Sequence, residues 1–312
     1  MIRIVMTSDK EKTMGKKTFK ELLATEQVFA PCVHDCMSAK MVELCGYNGM
    51  LLSGGMTSRS MAGYPDLGLL SLDELVWTTE RITDMTDLPL VIDAENGMGE
   101  GPLNAYRCAY RLAKAGAKGL TIEDTTGVRG WGRMVYNDEY QALEKEETWL
   151  AKIRAAKEAI ADKDCVLIAR CEGLPIIGLD GAIERCCKAM EAGADMITIV
   201  MIKTLDQCKQ IAASLPGWKM YPDLFSKNGI PDVELDEIYK LGFNFVTMHA
   251  LGRGAMYGMY DFAKHDFENK SAVYSDTHDF AGLSAEEEKV VRGFDPEKWF
   301  ELERQFCDVS KK

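Results

Sequence analysis

Short apolar runs alternate with longer amphipathic stretches along most of the chain. Eight runs are apolar at nearly every position, near residues 28–30, 49–53, 89–93, 119–123, 165–170, 196–200, 219–222 and 245–248. A strand that is apolar throughout is buried on both faces, which is typical of a parallel sheet covered by helices. The runs therefore predict eight buried, parallel strands.

Between these runs the apolar positions recur with the helical period. The stretches are 73–85, 104–115, 146–161, 181–192 and 232–241, and their spacing predicts amphipathic helices. Four strands follow a helix through a glycine, at Gly46, Gly116, Gly193 and Gly242. Glycine suits the left-handed backbone that ends a helix, and a strand that follows at once marks a βα unit.

Eight such units in about 240 residues favour a (β/α)8 TIM barrel, which we assign to residues 1–268. A doubly wound sheet is the alternative, but no Gly-x-Gly-x-x-Gly follows any predicted strand. Residues 16–25 predict a helix ahead of the first strand, where it would close the bottom of the barrel.

The βα rhythm stops after residue 268, and residues 269–312 predict a helical tail with helices over 284–291 and 296–309. The second of these carries a narrow apolar stripe that needs a cover. Either a neighbouring subunit or the chain's own barrel would supply it. The stripe consists of Trp299, Leu302, Phe306 and Val309.

Charge and cysteine content narrow the function classes. The chain has 49 Asp and Glu residues and 37 Lys and Arg residues, which gives a formal net charge of −12. This negative charge disfavours binding to nucleic acid or to an anionic membrane. Small anions remain possible ligands where a metal ion or placed arginines reverse the field locally. The ten cysteines lie mostly in apolar stretches, and no second Cys or His pair completes a zinc site around Cys32 and Cys36. With no signal-peptide core and no membrane-length apolar run, we expect a cytoplasmic protein with reduced thiols.

In such a barrel the active site lies at the carboxyl ends of the strands. Polar or glycine residues occupy most of these positions, whereas the sixth strand ends in Val200 and Met201. The polar and glycine residues at or just after the predicted strand ends are Ser53, Gly54, Gly55, Asp66, Asp93, Glu95, Glu123, Asp124, Arg170, Glu172, Asp223 and His249.

Asp93, Glu95 and Glu123 form the sharpest set of candidates. Residues i and i+2 of a strand point the same way, so Asp93 and Glu95 would both face the mouth, with Glu123 on the next strand. Converging carboxylates repel unless a cation lies among them, and oxygen ligands favour Mg²⁺ or Mn²⁺ over zinc. The alternative for some of these carboxylates, Asp124 in particular, is a helix N-cap.

Three further features complete the predicted site. Arg170 ends an apolar strand and offers a fork that matches a carboxylate. Ser53-Gly54-Gly55 can bring backbone N–H groups close to a ligand. The glycine- and arginine-rich connection from 124 to 136 is typical of a mobile lid, an ordinary surface loop being the alternative.

Together these residues resemble the isocitrate lyase / phosphoenolpyruvate mutase superfamily. The matching stretches cover roughly residues 16–200 and include Ala30-Pro-Cys-Val-His-Asp35, Leu52-Ser53-Gly54-Gly55, Pro65-Asp66-Leu-Gly68, Leu88-Pro-Leu-Val-Ile-Asp93-Ala-Glu95-Asn-Gly97, Ile122-Glu123-Asp124 and Ile168-Ala-Arg170. The resemblance implies a (β/α)8 barrel, usually a tetramer (a dimer of dimers) with an outer helix swapped between subunits. It also implies a Mg²⁺ enzyme that makes or breaks a bond next to an enolpyruvate-like carbanion.

The resemblance also implies roles for single residues. Asp93 would hold the metal, with Asp66, Glu95 and Glu123 acting directly or through water, while Ser53, Gly54 and Arg170 would bind the 2-oxo or 2-hydroxy acid end of the substrate. The sequence departs from the family in two places: Glu95 stands where Asp is usual, and the predicted lid has neither the Lys-Arg-Cys-Gly-His nor the Glu-Asp-Lys…Asn-Ser pattern. A replacement proton-transfer group is therefore expected among Arg129, Arg133, Tyr136, Glu172 and His249.

The leading hypothesis is a lyase that splits a small substituted malate into a 2-oxo acid and a carboxylate. Hydrolysis or decarboxylation of oxaloacetate, or C–P chemistry on phosphonopyruvate or phosphoenolpyruvate, is the alternative. A third possibility is a barrel that keeps the metal site and acts as a binding protein.

Overall fold

Eight parallel strands close into a barrel in the computed structural model, which describes residues 17–126, 143–278 and 282–307. The prediction of a (β/α)8 barrel is confirmed, and the doubly wound alternative is excluded because the sheet is closed. The barrel strands are β1 (Val28–Val33), β2 (Met50–Leu52), β3 (Leu90–Asp93), β4 (Gly119–Glu123), β5 (Val166–Cys171), β6 (Met196–Ile199), β7 (Trp218–Tyr221) and β10 (Phe243–Met248). A small antiparallel hairpin, β8 (Ser226–Lys227) and β9 (Ile230–Pro231), lies between β7 and β10 in the chain.

Helices alternate with these strands and cover the outside of the barrel. They are α1 (Phe19–Thr25), α2 (Cys36–Leu44), α3 (Gly54–Thr57), α4 (Leu72–Met85), α5 (Pro102–Lys114), α6 (Glu146–Ala159), α7 (Leu174–Glu191), α8 (Leu205–Ser214), α9 (Leu235–Lys240), α10 (Ala250–Asn269), α11 (Val273–Thr277), α12 (Ala285–Gly293) and α13 (Glu297–Phe306). A π-helical turn over Ser58–Ala62 follows α3 directly. The periodicity predicts a helix that begins at residue 181, whereas α7 begins at Leu174. An extra turn precedes the predicted part, and the non-helical backbone of Gly178 (φ 71°) marks a kink between the two.

The four glycines that follow predicted helices all have a left-handed backbone. Their φ angles are 79° at Gly46, 98° at Gly116, 111° at Gly193 and 83° at Gly242. At Gly242 a Cβ would also lie 2.9 Å from the carbonyl oxygen of Gly217, so both the angle and the space require glycine there.

Side chains that point into the barrel form a core of their own, separate from the layer between strands and helices. Val28, Ala30 and Cys32 of β1 belong to this inner core, as do Val91 of β3 and Ile168 of β5. Phe19 and Leu23 of α1 pack into its lower end, where the Phe19 ring meets Phe245 edge-on with centroids 6.0 Å apart. The first helix therefore closes the bottom of the barrel, as expected, and the upper end is left for polar side chains.

Among the described residues after β10, the chain forms four helices outside the barrel. Helix α12 contacts α2, whereas every described side chain of α13 is exposed, including Trp299 and Phe306. Within the described residues α13 is not covered by its own barrel. None of the helices in residues 17–126, 143–278 and 282–307 has the length and apolar character of a membrane span.

Candidate active site

Acidic and basic side chains meet where β3, β4 and β5 end. Glu123 and Arg170 are register partners across β4 and β5, and Asp93 pairs with Thr121 across β3 and β4. Val91 and Ile168, two residues before Asp93 and Arg170, lie in the inner core, so strand alternation turns Asp93 and Arg170 inward as well. All three side chains are therefore brought to the barrel mouth, and all three residues are buried.

One guanidinium is shared by three carboxylates in this cluster. Arg170 Nη1 lies 2.7 Å from Asp93 Oδ1, and Nη2 lies 3.4 Å from Glu123 Oε2. Glu172 Oε1 accepts from Nε at 2.8 Å and lies 2.7 Å from Nη2. Three buried carboxylates around one cation leave an excess of negative charge, which is an environment that attracts a further cation.

Glu95 reaches the same place by a different route from the one predicted. Strand β3 ends at Asp93, so strand alternation does not orient Glu95, and that part of the prediction is wrong. Glu95 instead adopts a left-handed backbone with φ of 54°, and its carbonyl accepts a hydrogen bond from the Glu123 N–H at 2.9 Å. A strained backbone at a buried acidic residue is common at functional sites.

The two glycines after β2 let the carboxylates approach the backbone closely. A Cβ on Gly54 would collide with Glu95 Oε1 and would lie 3.5 Å from Asp93 Oδ2. A Cβ on Gly55 would collide with the carboxylate of Asp66. The predicted metal residues Asp66, Asp93 and Glu95 therefore gather around Gly54 and Gly55.

These residues suit a hard divalent cation. Oxygens of Asp93 and Glu95 both lie within 3.5 Å of the point that a Gly54 Cβ would occupy, so the two carboxylates converge. Mg²⁺ is bound in enzymes by one or two carboxylates together with water and substrate oxygens. Within the described residues, no three or more His, Cys, Asp or Glu side chains are already grouped to hold a metal ion, so water or substrate oxygens would have to complete the coordination.

The backbone donors at Ser53-Gly54-Gly55 are fewer than predicted. The Ser53 N–H donates to the carbonyl of Val33 at 2.9 Å and so belongs to the sheet. Ser53 is also the N-cap of α3, and its hydroxyl accepts from the Met56 N–H at 3.3 Å. Of the three predicted donors, only the N–H groups of Gly54 and Gly55 can therefore serve a ligand.

A polar cavity of about 470 Å³ adjoins the carboxylates. Glu95, Glu123 and Thr125 form one side of it, and the start of α4 forms another. Arg107 of α5 also lines this cavity, a residue that the sequence pattern did not single out because it lies on an exposed helix face. The cavity is large enough for a small organic acid.

Asp124 has a structural role and is not a helix N-cap. Its Oδ2 accepts a hydrogen bond from Arg185 Nε at 2.7 Å, and its Oδ1 accepts from the Glu172 N–H at 2.7 Å. Burial raises the pKa of Asp124, and the Arg185 guanidinium opposes this effect. Arg185 also donates to the carbonyl of Glu144 at 2.7 Å and lies over the Trp149 ring.

The two ends of the connection between β4 and α6, which contains the predicted lid, lie together beside Asp124. Thr125 and Leu143 form an antiparallel bridge, and the Glu144 N–H donates to the Asp124 carbonyl at 2.8 Å. Residues 127–142 lie outside the described part of the chain. The roles expected for Arg129, Arg133 and Tyr136, and the lid itself, therefore stay predictions.

His249 and Asp223 form an ion pair at the mouth, after β10 and β7. His249 Nδ1 lies 3.1 Å from Asp223 Oδ1, and the His249 N–H donates to the same oxygen at 3.1 Å. Cys32, and after it Asp223, raise the pKa of His249 well above its ordinary value. The His249 side chain is 44% exposed, so the mouth remains accessible to it.

Sequence reasoning missed Thr198 of β6. The strand ends at Ile199, before Val200, and Thr198 rather than Val200 is the register partner of Arg170. Thr198 is fully buried, and within the described residues its Oγ1 has no hydrogen-bond partner. Alternation from Met196, an inner-core residue, was the signal that could have identified it.

Comparisons with known proteins show which proteins this chain resembles. The family model described as phosphoenolpyruvate phosphomutase matches residues 19–265. The chain is 31% identical to the petal death protein of Dianthus caryophyllus over 306 residues, which is 96% of this chain and 92% of that protein. It is 38% identical to 2-methylisocitrate lyase of Escherichia coli (strain K12) over 174 residues, 56% of this chain and 57% of that enzyme.

Two further comparisons extend over nearly the whole chain. The chain is 31% identical to the oxaloacetate decarboxylase of Pseudomonas fluorescens (strain SBW25) over 297 residues, 95% of this chain and 97% of that enzyme. The crystal structure of 2,3-dimethylmalate lyase, a PEP mutase/isocitrate lyase superfamily member, superposes with a TM-score of 0.76 at 23% identity. It covers 90% of this chain and 96% of that one. The structural likeness supports the barrel fold.

Proposed function

Because the chain belongs to the phosphoenolpyruvate phosphomutase family, we propose that it is a Mg²⁺-dependent lyase that splits a C–C bond of a small substituted malate. The observation that carries this proposal is the cluster around Arg170, where one guanidinium and buried carboxylates from three strand ends meet. Such a site binds an acid and a cation together. An acidic protein can thereby accept an acidic substrate.

Asp93, Glu95 and Glu123 would hold the metal, with Asp66 beside them against Gly55. The ion, when bound, supplies positive charge that stabilises the enolate left by cleavage next to a carboxyl group. A side chain at position 54 would collide with the Glu95 carboxylate, so the proposed metal site requires glycine at that position.

Arg170 would bind the 2-hydroxy acid end of the substrate. Its guanidinium is fixed by Glu172 on one side and Asp93 on the other, so it is held in one orientation before substrate arrives. Preorganised donors of this kind stabilise developing charge without a cost of reorganisation in the reaction. The hydroxyl of Thr198, buried beside Arg170, would give the substrate a further hydrogen bond.

Decarboxylation of oxaloacetate is the second candidate. The comparison that favours it is the one with oxaloacetate decarboxylase, which spans 97% of that enzyme, whereas the alignment with 2-methylisocitrate lyase spans 57%. Both reactions leave an enolate next to a carbonyl or carboxyl group, so the same cluster would serve either.

A substrate panel separates the two candidates. The purified chain is assayed with Mg²⁺ on 2-methylisocitrate, 2,3-dimethylmalate, oxaloacetate and phosphonopyruvate, and products are identified by NMR. We expect a 2-oxo acid and a carboxylate from a substituted malate. Release of CO₂ from oxaloacetate alone would favour the second candidate, and turnover of none of the four acids would contradict both.

We further propose that the protein is a homo-oligomer in the cytoplasm. Helices α10 and α13 expose large apolar side chains, Tyr257, Tyr260 and Phe267 on the first and Trp299 and Phe306 on the second. Exposed apolar groups in this number are typical of a surface that another subunit covers. Tyr257, Tyr260 and Phe267 lie within the range predicted for the barrel (1–268), and Trp299 and Phe306 lie in the predicted contact tail (269–312), so the proposed contact surface includes parts of both.

A further inference from the structure

A second ionisable group lies across the barrel mouth from Arg170. In the closed barrel, β1 is four strands away from β5, and β10 is four strands away from β4, so each pair stands on opposite walls. Cys32 belongs to β1, and His249 directly follows β10. A small acid bound by Arg170 would therefore have the metal-binding carboxylates on one side and His249 on the other.

Three side chains make up this opposite wall. Pro31 pairs with Met248 in the parallel ladder, so Cys32 and His249 are the next neighbours along the two strands. Asp223 holds His249 through both its Nδ1 and its backbone N–H, each 3.1 Å from Oδ1. A carboxylate on Nδ1 fixes the orientation of the imidazole and leaves Nε2 as the nitrogen that exchanges a proton.

Cleavage of a 2-hydroxy acid needs two proton transfers. As the C–C bond breaks, the hydroxyl oxygen loses a proton and becomes the carbonyl of the 2-oxo acid. The electron pair of the broken bond stays on the other carbon as an enolate, which must then gain a proton there. One proton is lost from the hydroxyl and one is gained by the enolate carbon, so the reaction has no net change in protons. When two different groups carry out these transfers, exchange with solvent returns both groups to their starting protonation states.

We propose that His249 delivers the proton to the enolate carbon, with Asp223 as its positioning residue. This inference rests on the lyase activity proposed above. The candidates on the other wall are poorly suited to donate. Glu172 is already engaged as a hydrogen-bond acceptor by the Arg170 guanidinium at 2.8 Å. Arg170 itself keeps its proton at any ordinary pH.

Loss of the imidazole should abolish most of the turnover without loss of binding. For His249→Gln we expect kcat to fall about 100-fold or more, the size typical of a lost general acid, and KM to change by less than about threefold. Free imidazole should restore turnover to His249→Ala, because the site is open to solvent. Circular dichroism and thermal unfolding establish that each variant is folded.

His265 provides a matched control. It is also a histidine paired with an aspartate, with Nδ1 lying 3.4 Å from Asp261 Oδ1, but it belongs to α10 outside the barrel. His265→Gln should keep wild-type turnover within about twofold, because a surface pair of this kind contributes little.

Asp223→Asn tests the positioning role separately. The acid must be protonated to act, so turnover falls as pH rises through the pKa of His249. Since Asp223 helps to raise that pKa, its neutral replacement should move the alkaline limb of the pH–rate profile to lower pH.

The outcomes separate this inference from the proposed function. If the wild-type chain cleaves a substituted malate and His249→Gln cleaves it equally fast, the lyase stands and the assignment of His249 is wrong. A folded His249→Ala variant that imidazole does not rescue would also overturn the assignment. If the wild-type chain cleaves none of the four acids, both the activity and this role are wrong.

Discussion

At the scale of single residues, the site depends on the contacts that one guanidinium makes with its neighbouring carboxylates. Arg170 contacts Asp93, Glu123 and Glu172 with three different nitrogens, which only a planar guanidinium can do. A lysine at this position would keep the charge and lose the fork. Arg170 therefore has two roles: its charge balances the carboxylates around it, and its fork offers a binding site for an acid.

Arg170→Lys should lower kcat/KM by about 100-fold or more, in line with the loss of a preorganised charged donor. Arg154→Lys is the control, because Arg154 is exposed on the outer helix α6. Steady-state kinetics on the preferred substrate give both values. Equal activity of the two variants would show that the fork of Arg170 is not needed.

At the scale of elements, much of the architecture could be predicted from the sequence. Continuous apolar runs predicted each barrel strand to within a few residues, because a strand buried on both faces has no polar position to obscure it. Glycines such as Gly193 predicted the helix ends, because few other residues adopt the backbone found there.

The fine structure of the site could not be predicted in this way. The pairing of Arg170 with Asp93 joins residues 77 positions apart, and it depends on the register of three strands. Glu95 faces the mouth through a left-handed turn that no alternation rule contains. Thr198 was missed because polar residues were sought only at the strand end, placed at Val200, whereas the inward-facing polar residue lies one position before the actual end at Ile199.

The buried pair Asp124–Arg185 joins α7 to the end of β4, and its removal tests how these elements are held. Asp124→Asn or Arg185→Met alone should lower the free energy of unfolding by about 3–5 kcal/mol, because each leaves a buried charge without its partner. The double variant should lose less than the sum of the two. Urea unfolding followed by circular dichroism measures all three. Additive losses would mean that the two charges are not coupled.

At the scale of the whole molecule, the exposed aromatic side chains of the tail predict an assembly of identical chains. Trp299 and Phe306 are 67% and 79% exposed, and both lie on α13. A charged residue in the middle of an apolar interface must be desolvated, so it opposes association.

Trp299→Glu should therefore shift the protein from the proposed homo-oligomer to smaller species at micromolar concentration, as measured by light scattering after size-exclusion chromatography. Glu301→Gln, an exposed position on the same helix, is the control and should leave the assembly unchanged. A wild-type protein that is monomeric under these conditions would contradict the prediction.

We propose that carboxylates at the barrel mouth hold a divalent cation that cleavage requires. The most direct test is Mg²⁺ binding by titration calorimetry, combined with turnover of the preferred substrate, for the wild-type chain, Asp93→Asn and the exposed control Asp162→Asn. We predict that Asp93→Asn binds Mg²⁺ at least about 10-fold more weakly and loses most of its turnover. EDTA should stop the wild-type enzyme and added Mg²⁺ should restore it. Undiminished Mg²⁺ affinity and turnover in Asp93→Asn would contradict the account.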